Sequence, residues 1–318
     1  MKTIVVLGSA NMDLVVRQPR LPHPGETIFG SDFATVPGGK GLNQAVAAAR
    51  MDGAVSFVGA VGDDPYGIAL LDLLMSEGID IGNVATSRLP TGTAHISVVD
   101  SGENSIVVVS GANATVTTLT DAARQLIESA AVLVMQCELP VSVLEEAIAV
   151  ARAAQVFTVL TPAPVIPLPA GFLSSVDLVV PNQIEAAELT GEADPVRAAE
   201  LLSVGGTWAI VTLGAEGSVI AHDGSALGLA PARPVQPVDT TAAGDTFVGA
   251  LVARLTGTAT RGAANGPPEP AFERMGRVSE AEMVEAVRWA TVASSISVTR
   301  HGATSSMPMF GEVTAILG

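Results

Sequence analysis

Short apolar segments alternate with Ala-rich segments of helical periodicity along most of this sequence. Six segments have the length and β-branched content of buried strands: Ile4–Leu7, Val55–Val58, Val132–Met135, Phe157–Leu160, Leu178–Val180 and Trp208–Thr212. Helical patterns lie near 41–50, 65–77, 120–129, 141–154, 183–189, 194–204, 244–255 and 279–298. This alternation predicts βαβ units, and therefore an α/β fold whose mostly parallel sheet is covered by helices on both faces.

Residues 13–36 and 91–109 interrupt the alternation. They contain strand-like patterns such as Thr93–Val98 and Ile106–Val109, separated by a polar turn at 101–104. We expect a small antiparallel sheet here that projects as a lid from a single domain spanning 1–318. Such a sheet is too thin to fold alone, so it should pack on a substrate or on a second copy of the chain. The Gly- and Pro-rich stretch from Gly257 to Pro270 is expected to be a mobile surface loop.

Charge and cysteine content exclude several classes of protein. Lys and Arg number 16 against 32 Asp and Glu, and the net charge of -16 argues against nucleic acid as a partner. Cys137 is the only cysteine, which excludes an intramolecular disulfide, and neither it nor the four histidines show metal-ligand spacing. No apolar run reaches the ~18 residues of a membrane helix. We therefore expect a cytoplasmic protein.

The segment Asp239–Phe247 carries the sharpest chemical signal. Its small residues follow a strand-like stretch and open an apolar helical pattern. Free N–H groups of the first helical turn, expected at 243–245, would attract an anion because the helix dipole reinforces them. A carboxylate beside an anion site suggests a base acting on a hydroxyl next to a phosphate, which makes Asp245 a candidate. An ordinary N-terminal helix cap is an equally good interpretation of these residues alone.

A second signal is the glycine-rich segment 36–49, VPGGKGLNQAVAAA. Its glycines allow the backbone to approach a ligand closely, with Lys40 and Asn43 at the mouth of the following helix. It is not a nucleotide P-loop, because position 34 is Ala and Gly41 stands where Ser or Thr would hold magnesium. A glycine-rich turn before a helix is the alternative.

Two weaker signals follow other predicted strands. Asn182 and Glu185 share a helical face, an arrangement suited to hydrated magnesium, although a plain helix cap at Asn182 is the simpler interpretation. Asn11 and Asp13 follow the first strand, where open α/β sheets bind ligands, and both can bond vicinal hydroxyls. An Asx-turn is the alternative there.

These four signals occur together in the ribokinase-like (phosphofructokinase B) carbohydrate kinases, which this sequence resembles over about residues 4–308. The family's Gly-Gly signature is matched at Gly38-Gly39 and its D-x-x-[GA]-A-G-D signature at Asp239–Asp245, with Ala242 where many relatives have Gly. The run 38–45 is similar to the ribokinase branch. The resemblance implies a three-layer fold with a mostly parallel central sheet and a small antiparallel β lid, and an ATP-dependent kinase for ribose that uses magnesium.

The resemblance also implies a role for each matching position. Asp245 would be the catalytic base, in an anion hole at Ala242–Asp245 whose Ala242, Ala243 and Gly244 would bind phosphate. The sugar would be bound by Asn11, Asp13, Gly39, Lys40, Asn43, Ala94, Ile96 and Glu138. Magnesium, phosphates and nucleotide would be handled by Asn182, Glu185, Thr212 and Gly214. A monovalent cation, expected to be potassium, would lie at Asp239, Thr241, Ser297, Arg300, Gly302 and Ser306. We expect a homodimer formed through the lid.

Two departures from the family pattern leave alternatives open. Thr161 stands where the ribokinase branch usually has Asn, and the 257–278 stretch is longer than usual. A kinase for another sugar or for a nucleoside is one alternative, although an aromatic content of 3% offers little for stacking on a base. A non-catalytic sugar-binding regulator is another, and the intact Asp245 argues against it.

Overall fold

The computed structural model describes residues 3–101, 103–257 and 278–318. Of the loop expected at 257–270, all but Gly257 lies outside the described residues. Two β-sheets form within these ranges. Their strands are β1 (Ile4–Leu7), β2 (Asn11–Gln18), β3 (Asp32–Gly38), β4 (Val55–Gly62), β5 (Asp80–Ser87), β6 (Gly92–Val99), β7 (Asn104–Val109), β8 (Val132–Gln136), β9 (Phe157–Thr161), β10 (Leu178–Val179), β11 (Trp208–Thr212), β12 (Ser218–His222) and β13 (Ser225–Ala230).

The main sheet has the strand order β13-β12-β11-β10-β9-β8-β1-β4-β5. The strands from β11 to β5 run parallel, and β12 and β13 add an antiparallel hairpin at one edge. All six predicted strands lie in this sheet, which confirms the mostly parallel α/β architecture. Strands β5 and β13 were not predicted because edge strands are partly exposed and lack a continuous apolar run. The apolar run of β12 is only Val219–Ala221.

Helices cover both faces of the main sheet. They are α1 (Lys40–Arg50), α2 (Pro65–Ser76), α3 (Asp121–Glu128), α4 (Val141–Ala153), α5 (Gln183–Thr190), α6 (Pro195–Leu202), α7 (Ala243–Leu255), α8 (Glu280–Ser297) and α9 (Phe310–Leu317). Strand β1 shows both layers, since Ile4 and Val6 join the core with α1, α7 and α8, whereas Val5 and Leu7 join the core with α3 and α4. In the described part of the chain no helix is long and apolar enough to cross a membrane.

The second sheet is the predicted lid, with strand order β3-β2-β6-β7. Its outer pairings, β2 with β3 and β6 with β7, are antiparallel, whereas the central pairing of β2 with β6 is parallel. Strand β7 is exposed along its whole length. The lid thus stands beside the main sheet, with β3 and β7 as its two edge strands.

Helices α1 and α7 pack against each other and position the site. At their crossing Gly249 of α7 lies on Ala47 and Ala48 of α1, and a β-carbon on Gly249 would fall 2.7 Å from the Ala48 nitrogen. Only glycine allows this approach. The N-terminal end of α1 also meets the residues that follow β1, because the Leu42 N–H donates to the Ser9 carbonyl at 2.9 Å. The first turns of both helices therefore lie together at the carboxyl end of β1.

Candidate active site

A cleft of about 1220 Å³ lies between the lid and this edge of the main sheet. Its walls include Asp245 and the whole set of residues expected to bind sugar: Asn11, Asp13, Gly39, Lys40, Asn43, Ala94, Ile96 and Glu138. These residues come from β2, β6, α1, α7 and the turn after β8. Segments that are far apart in the sequence are thus brought to one cavity.

The glycines before α1 allow the first helical turn to lie against the strand that faces it. A β-carbon on Gly38 would fall 2.6 Å from the Asp13 Cγ, and one on Gly39 would fall 2.8 Å from the Asn11 nitrogen. Gly39 also has a φ of 91°, in the region that favours glycine. The glycine-rich segment is therefore more than a turn, because its lack of side chains makes room for two predicted sugar ligands.

Asn11 and Asp13 lie in strand β2, so the Asx-turn considered for them does not form. The buried Asn113 holds Asn11 in place by donating to its Oδ1 at 2.8 Å. Asp13 has a pKa raised to about 7, first by burial and then by the negative charges of Glu138 and Asp245. Without a ligand, the ionised Asp13 carboxylate is poorly solvated here, and hydroxyl donors from a bound sugar would stabilise it.

Glu138 is fixed by the first turn of α1. Its carboxylate accepts hydrogen bonds from the Ser9 hydroxyl and, at 3.1 Å, from the Lys40 N–H. Burial alone would lower the pKa of Lys40, but the carboxylates of Asp245, Glu138 and Glu185 outweigh it and raise that pKa. Lys40 therefore stays cationic among these acids, and an ammonium group can interact with a phosphate.

Asp245 lies in the first turn of α7 and is only 8% exposed. It does not cap the helix, since the cap residue is Ala242 with no side-chain bond, and so the cap interpretation is wrong. Its two carboxylate oxygens instead accept hydrogen bonds from Asn43 Nδ2 and Gln44 Nε2, both at 3.0 Å. Burial raises the pKa of Asp245, and Lys40, Gln44 and Asn43 act in the opposite direction. A buried, oriented carboxylate of this kind can accept a proton.

The residues just before Asp245 form a narrower anion site than expected. Residues 231–242 are irregular rather than a strand, and Ala242 adopts a left-handed conformation with φ 54°. The Ala243 N–H is not free, because it donates to the Thr240 carbonyl at 3.2 Å. Among the described residues none accepts a hydrogen bond from the N–H of Gly244 or Asp245. Two free N–H groups at a helix N-terminus are therefore available to a phosphoryl group.

The residues expected to handle nucleotide lie outside the walls of this cleft, at the ends of β10 and β11. Asn182 and Glu185 form a capping box: Asn182 Oδ1 accepts from the Glu185 N–H at 2.9 Å, and Glu185 accepts from the Asn182 N–H at 2.8 Å. The simpler interpretation of Asn182 is thus confirmed. Thr212 pairs with Asn182 through a β-bridge, and Gly214 follows it in a left-handed conformation. Burial raises the pKa of Glu185, while Lys40 opposes this, which places Glu185 within electrostatic reach of the cleft.

The expected cation ligands lie in the loop before α7 and in the segment from the end of α8 to Ser306, and Asp239 joins the two. Its carboxylate accepts hydrogen bonds from the Thr241 and Gly302 N–H groups, both at 2.9 Å. The side chains of Ser297 and Ser306 are buried and donate to backbone carbonyls. Arg300 pairs with Glu312 rather than with Asp239. Within the described ranges no cluster of three or more His, Cys, Asp or Glu could hold a metal ion.

Four supporting residues were missed at the sequence level. Gln44, Gln136 and Thr161 form hydrogen bonds behind Asp245, and Asn113 holds Asn11. Gln44 could have been predicted from the 38–45 segment, because it directly follows Asn43. Thr161 was noted only as a departure from the family pattern, and Gln136 and Asn113 carry no local signal, since they contact the site only through the folded chain.

Comparison with known proteins identifies the family. The model of the pfkB family carbohydrate kinases matches residues 1–309. The ribokinase of Schizosaccharomyces pombe is 39% identical over 98% of this chain and 97% of its own, and the ribokinase of Bacillus subtilis is 38% identical over 100% of both.

Solved structures agree with this match. The ribokinase of Thermotoga maritima superposes with a TM-score of 0.84 at 32% identity, covering 100% of this chain and 99% of its own. The Arabidopsis thaliana ribokinase complexed with ribose and ATP has a TM-score of 0.85 at 30% identity, covering 99% and 98%. Together with a cleft that matches the family's signature residues, these similarities show that the chain belongs to the pfkB family of carbohydrate kinases and is a sugar kinase.

Proposed function

We propose that this chain phosphorylates ribose at its terminal hydroxyl with ATP, and that Asp245 is the general base. The observation that carries the proposal is the meeting, in one cleft, of a buried carboxylate at a helix N-terminus with the full set of expected sugar ligands. The buried Asn43 Oδ1 has no hydrogen-bond partner among the described residues, which suits a hydroxyl donor from a ligand. Relatives named ribokinase, one of them complexed with ribose and ATP, support ribose as the sugar.

The chemistry divides between the two helix ends. Asp245 accepts the proton of the sugar hydroxyl while the hydroxyl oxygen attacks the γ-phosphorus, and the bond from that phosphorus to ADP, the leaving group, breaks. The free N–H groups of Gly244 and Asp245 and the ammonium of Lys40 stabilise the charge that develops on the transferring group. The lid excludes water, which would otherwise hydrolyse ATP. We also propose that residues 1–318 form a single domain.

Magnesium would accompany ATP, and a monovalent cation would lie near Asp239. Magnesium would supply charge neutralisation on the phosphates, and Glu185 fits this part because it is a half-buried carboxylate within electrostatic range of Lys40 in the cleft. Asp239 fits a cation because no described Lys or Arg pairs with it. Potassium there would neutralise Asp239 and hold the loop that leads to Asp245.

A second copy of the chain would cover the outer face of the lid. Ile106 and Val108 line the cleft, so strand alternation directs Val107 and Val109 outward, where they are 65% and 52% exposed. Phe33 on the opposite edge strand is 60% exposed. An apolar face with a free strand edge favours pairing with another chain. Val107→Glu should then give a monomer in sedimentation experiments, whereas Val204→Glu, an exposed valine on the main body, should not.

The test of the proposed reaction is ATP turnover with and without ribose, compared with fructose, other pentoses and nucleosides. We expect turnover to require a sugar and kcat/KM to be highest with ribose. Asp245→Asn should fold, bind ribose and lose about 10²–10⁴-fold in turnover, whereas Asp121→Asn in α3 should change nothing. A higher kcat/KM with another sugar would show that ribose is not the substrate. Sugar binding without ATP turnover would favour a non-catalytic sugar-binding regulator. An Asp245→Asn variant with more than about a tenth of wild-type turnover would reject the assigned base.

A further inference from the structure

Gln44 is the buried neighbour of Asp245 that the reaction scheme leaves without a role. It is 1% exposed and does not line the cleft, so it has no route to the substrate. Its Nε2 nevertheless donates to Asp245 Oδ1 at 3.0 Å. Asn43 Nδ2 donates to the other oxygen, Oδ2, at the same distance. Both oxygens of the carboxylate are thus held by amides, one facing the cleft and one behind it.

The orientation of the Gln44 amide is fixed by two further side chains. Its Nε2 also donates to Thr161 Oγ1 at 3.2 Å, and its Oε1 accepts from Gln136 Nε2 at 2.7 Å. A reversed amide would direct Oε1 at the Asp245 carboxylate, which accepts but cannot donate when ionised. Gln136 is fully buried, and its Oε1 has no hydrogen-bond partner among the described residues. The side chain of Gln136 therefore has one role on this side of the core, which is to donate a hydrogen bond to Gln44.

A base in this position must be ionised before it can accept a proton, although burial favours the neutral acid. Amide donors oppose that effect because they stabilise the carboxylate and not the carboxylic acid. They also restrict rotation of the carboxylate, so that one oxygen keeps a lone pair directed at the cleft. Asn43 contacts the cleft and is expected to bind sugar as well. Gln44 is free of that second task.

We propose that Gln44 is a positioning residue for phosphoryl transfer, which keeps Asp245 ionised and oriented, and that Gln136 and Thr161 hold Gln44 for this purpose. The inference rests on the proposed role of Asp245. It also gives Thr161 a function at the position where the sequence departs from its relatives, since its hydroxyl is the second acceptor for the Gln44 amide.

The test is Gln44→Met, which keeps an unbranched side chain of similar length and removes the donors. We expect kcat to fall about 10–100-fold, as for a lost hydrogen bond to a charged group, with the ribose KM changed less than about threefold. The acidic limb of the kcat profile should move to higher pH, so that the loss is greater at pH 6 than at pH 9. Gln18→Met, at another buried glutamine, should leave the limb where it is.

Two further variants separate this inference from the assignment of the base. If Asp245→Asn stays active, the proposed reaction is wrong; if it is inactive and Gln44→Met has a normal profile, only the present inference fails. In the Asp245→Asn background, Gln44→Met should cost nothing more, whereas an equal loss in both backgrounds and at every pH would show a merely structural role. Should Gln44→Met not fold, Thr161→Val removes only one support and should move the limb in the same direction. An unmoved limb in Thr161→Val would then overturn the proposal.

Discussion

Gly38 lies directly against the carboxylate of Asp13, with no space for a side chain between them. Gly38→Ala should therefore displace Asp13 from the sugar and raise the ribose KM about tenfold or more, because a bonded hydroxyl loses its partner. The control is Gly311→Ala in α9, where a β-carbon would meet nothing within 4 Å. Steady-state kinetics at saturating ATP provide the measurement. An unchanged KM would show that Asp13 does not bind the sugar.

Glu138 should be the strongest single determinant of sugar affinity on the main-sheet side of the cleft. Glu138→Ala removes the acceptor for the sugar and leaves the Ser9 hydroxyl and the Lys40 N–H unpaired. We expect ribose binding, measured by calorimetry, to weaken about tenfold or more. Ser9→Ala removes only the support and should have a smaller effect. Equal affinities in all three proteins would contradict the placement of ribose.

The raised pKa of Asp13 predicts a pH dependence of sugar binding. With that pKa at about 7, the carboxylate ionises as the pH rises through neutrality, and charge-assisted bonds to hydroxyls are the stronger ones. Ribose affinity should therefore increase between about pH 6 and 8. Asp13→Asn should bind more weakly at pH 8 and lose this step. A step of the same size in Asp13→Asn would assign it to another group.

The same group predicts a pH-dependent stability of the protein without ligand. The folded-state pKa of Asp13 lies above the unfolded value near 3.8, so the native state holds the extra proton between about pH 4 and 7. This contribution to the free energy of unfolding is lost as the pH rises through 7. Asp13→Asn should consequently be more stable than the wild type at pH 8, and the gain should vanish near pH 4. Denaturant unfolding at both pH values measures it.

Ala242 is a non-glycine residue in a left-handed conformation, at the position where relatives often have Gly. Such a conformation costs about 1–2 kcal/mol for an L-residue, and glycine returns about 0.5–1 kcal/mol of that as entropy of the unfolded chain. Ala242→Gly should thus raise the free energy of unfolding by up to about 1 kcal/mol. Ala243→Gly, one residue into the helix, should lower it. A loss of stability in Ala242→Gly would mean that the strain is relieved locally.

Potassium should raise turnover several-fold over sodium or lithium at equal ionic strength. The reason is the position of Asp239, whose hydrogen bonds to Thr241 and Gly302 join the two loops beside Asp245. Asp239→Ala should erase the difference between the salts, and Asp121→Ala should preserve it. Identical turnover rates in potassium, sodium and lithium salts, after purification without potassium, would show that no monovalent cation at Asp239 activates the enzyme.

The sequence predicted the fold and the walls of the cleft because both are marked locally. Buried parallel strands are recognisable as apolar segments, and the glycines that lie beside Asp13 and Asn11 in the fold form the Gly-Gly signature at 38–39. Of the free N–H groups predicted at 243–245, that of Ala243 was wrong, because the left-handed Ala242 forms a turn in which this N–H donates to the Thr240 carbonyl. Gln136 and Asn113 could not be recognised, since their partners are about 100 residues away in the chain. The homodimer and the cytoplasmic location stay predictions.

The packing of α1 on α7 affects the order in which the site forms during synthesis and folding of the chain. Asn43 and Asp245 meet across 202 residues, so the base acquires its orienting amides only when distant parts of the chain have docked. Contacts of such large sequence separation form slowly, because a long loop must close before they contribute. A growing polypeptide on the ribosome therefore contains every proposed sugar ligand long before Asp245 is made, and the proposed phosphoryl transfer requires that α7 has docked on α1.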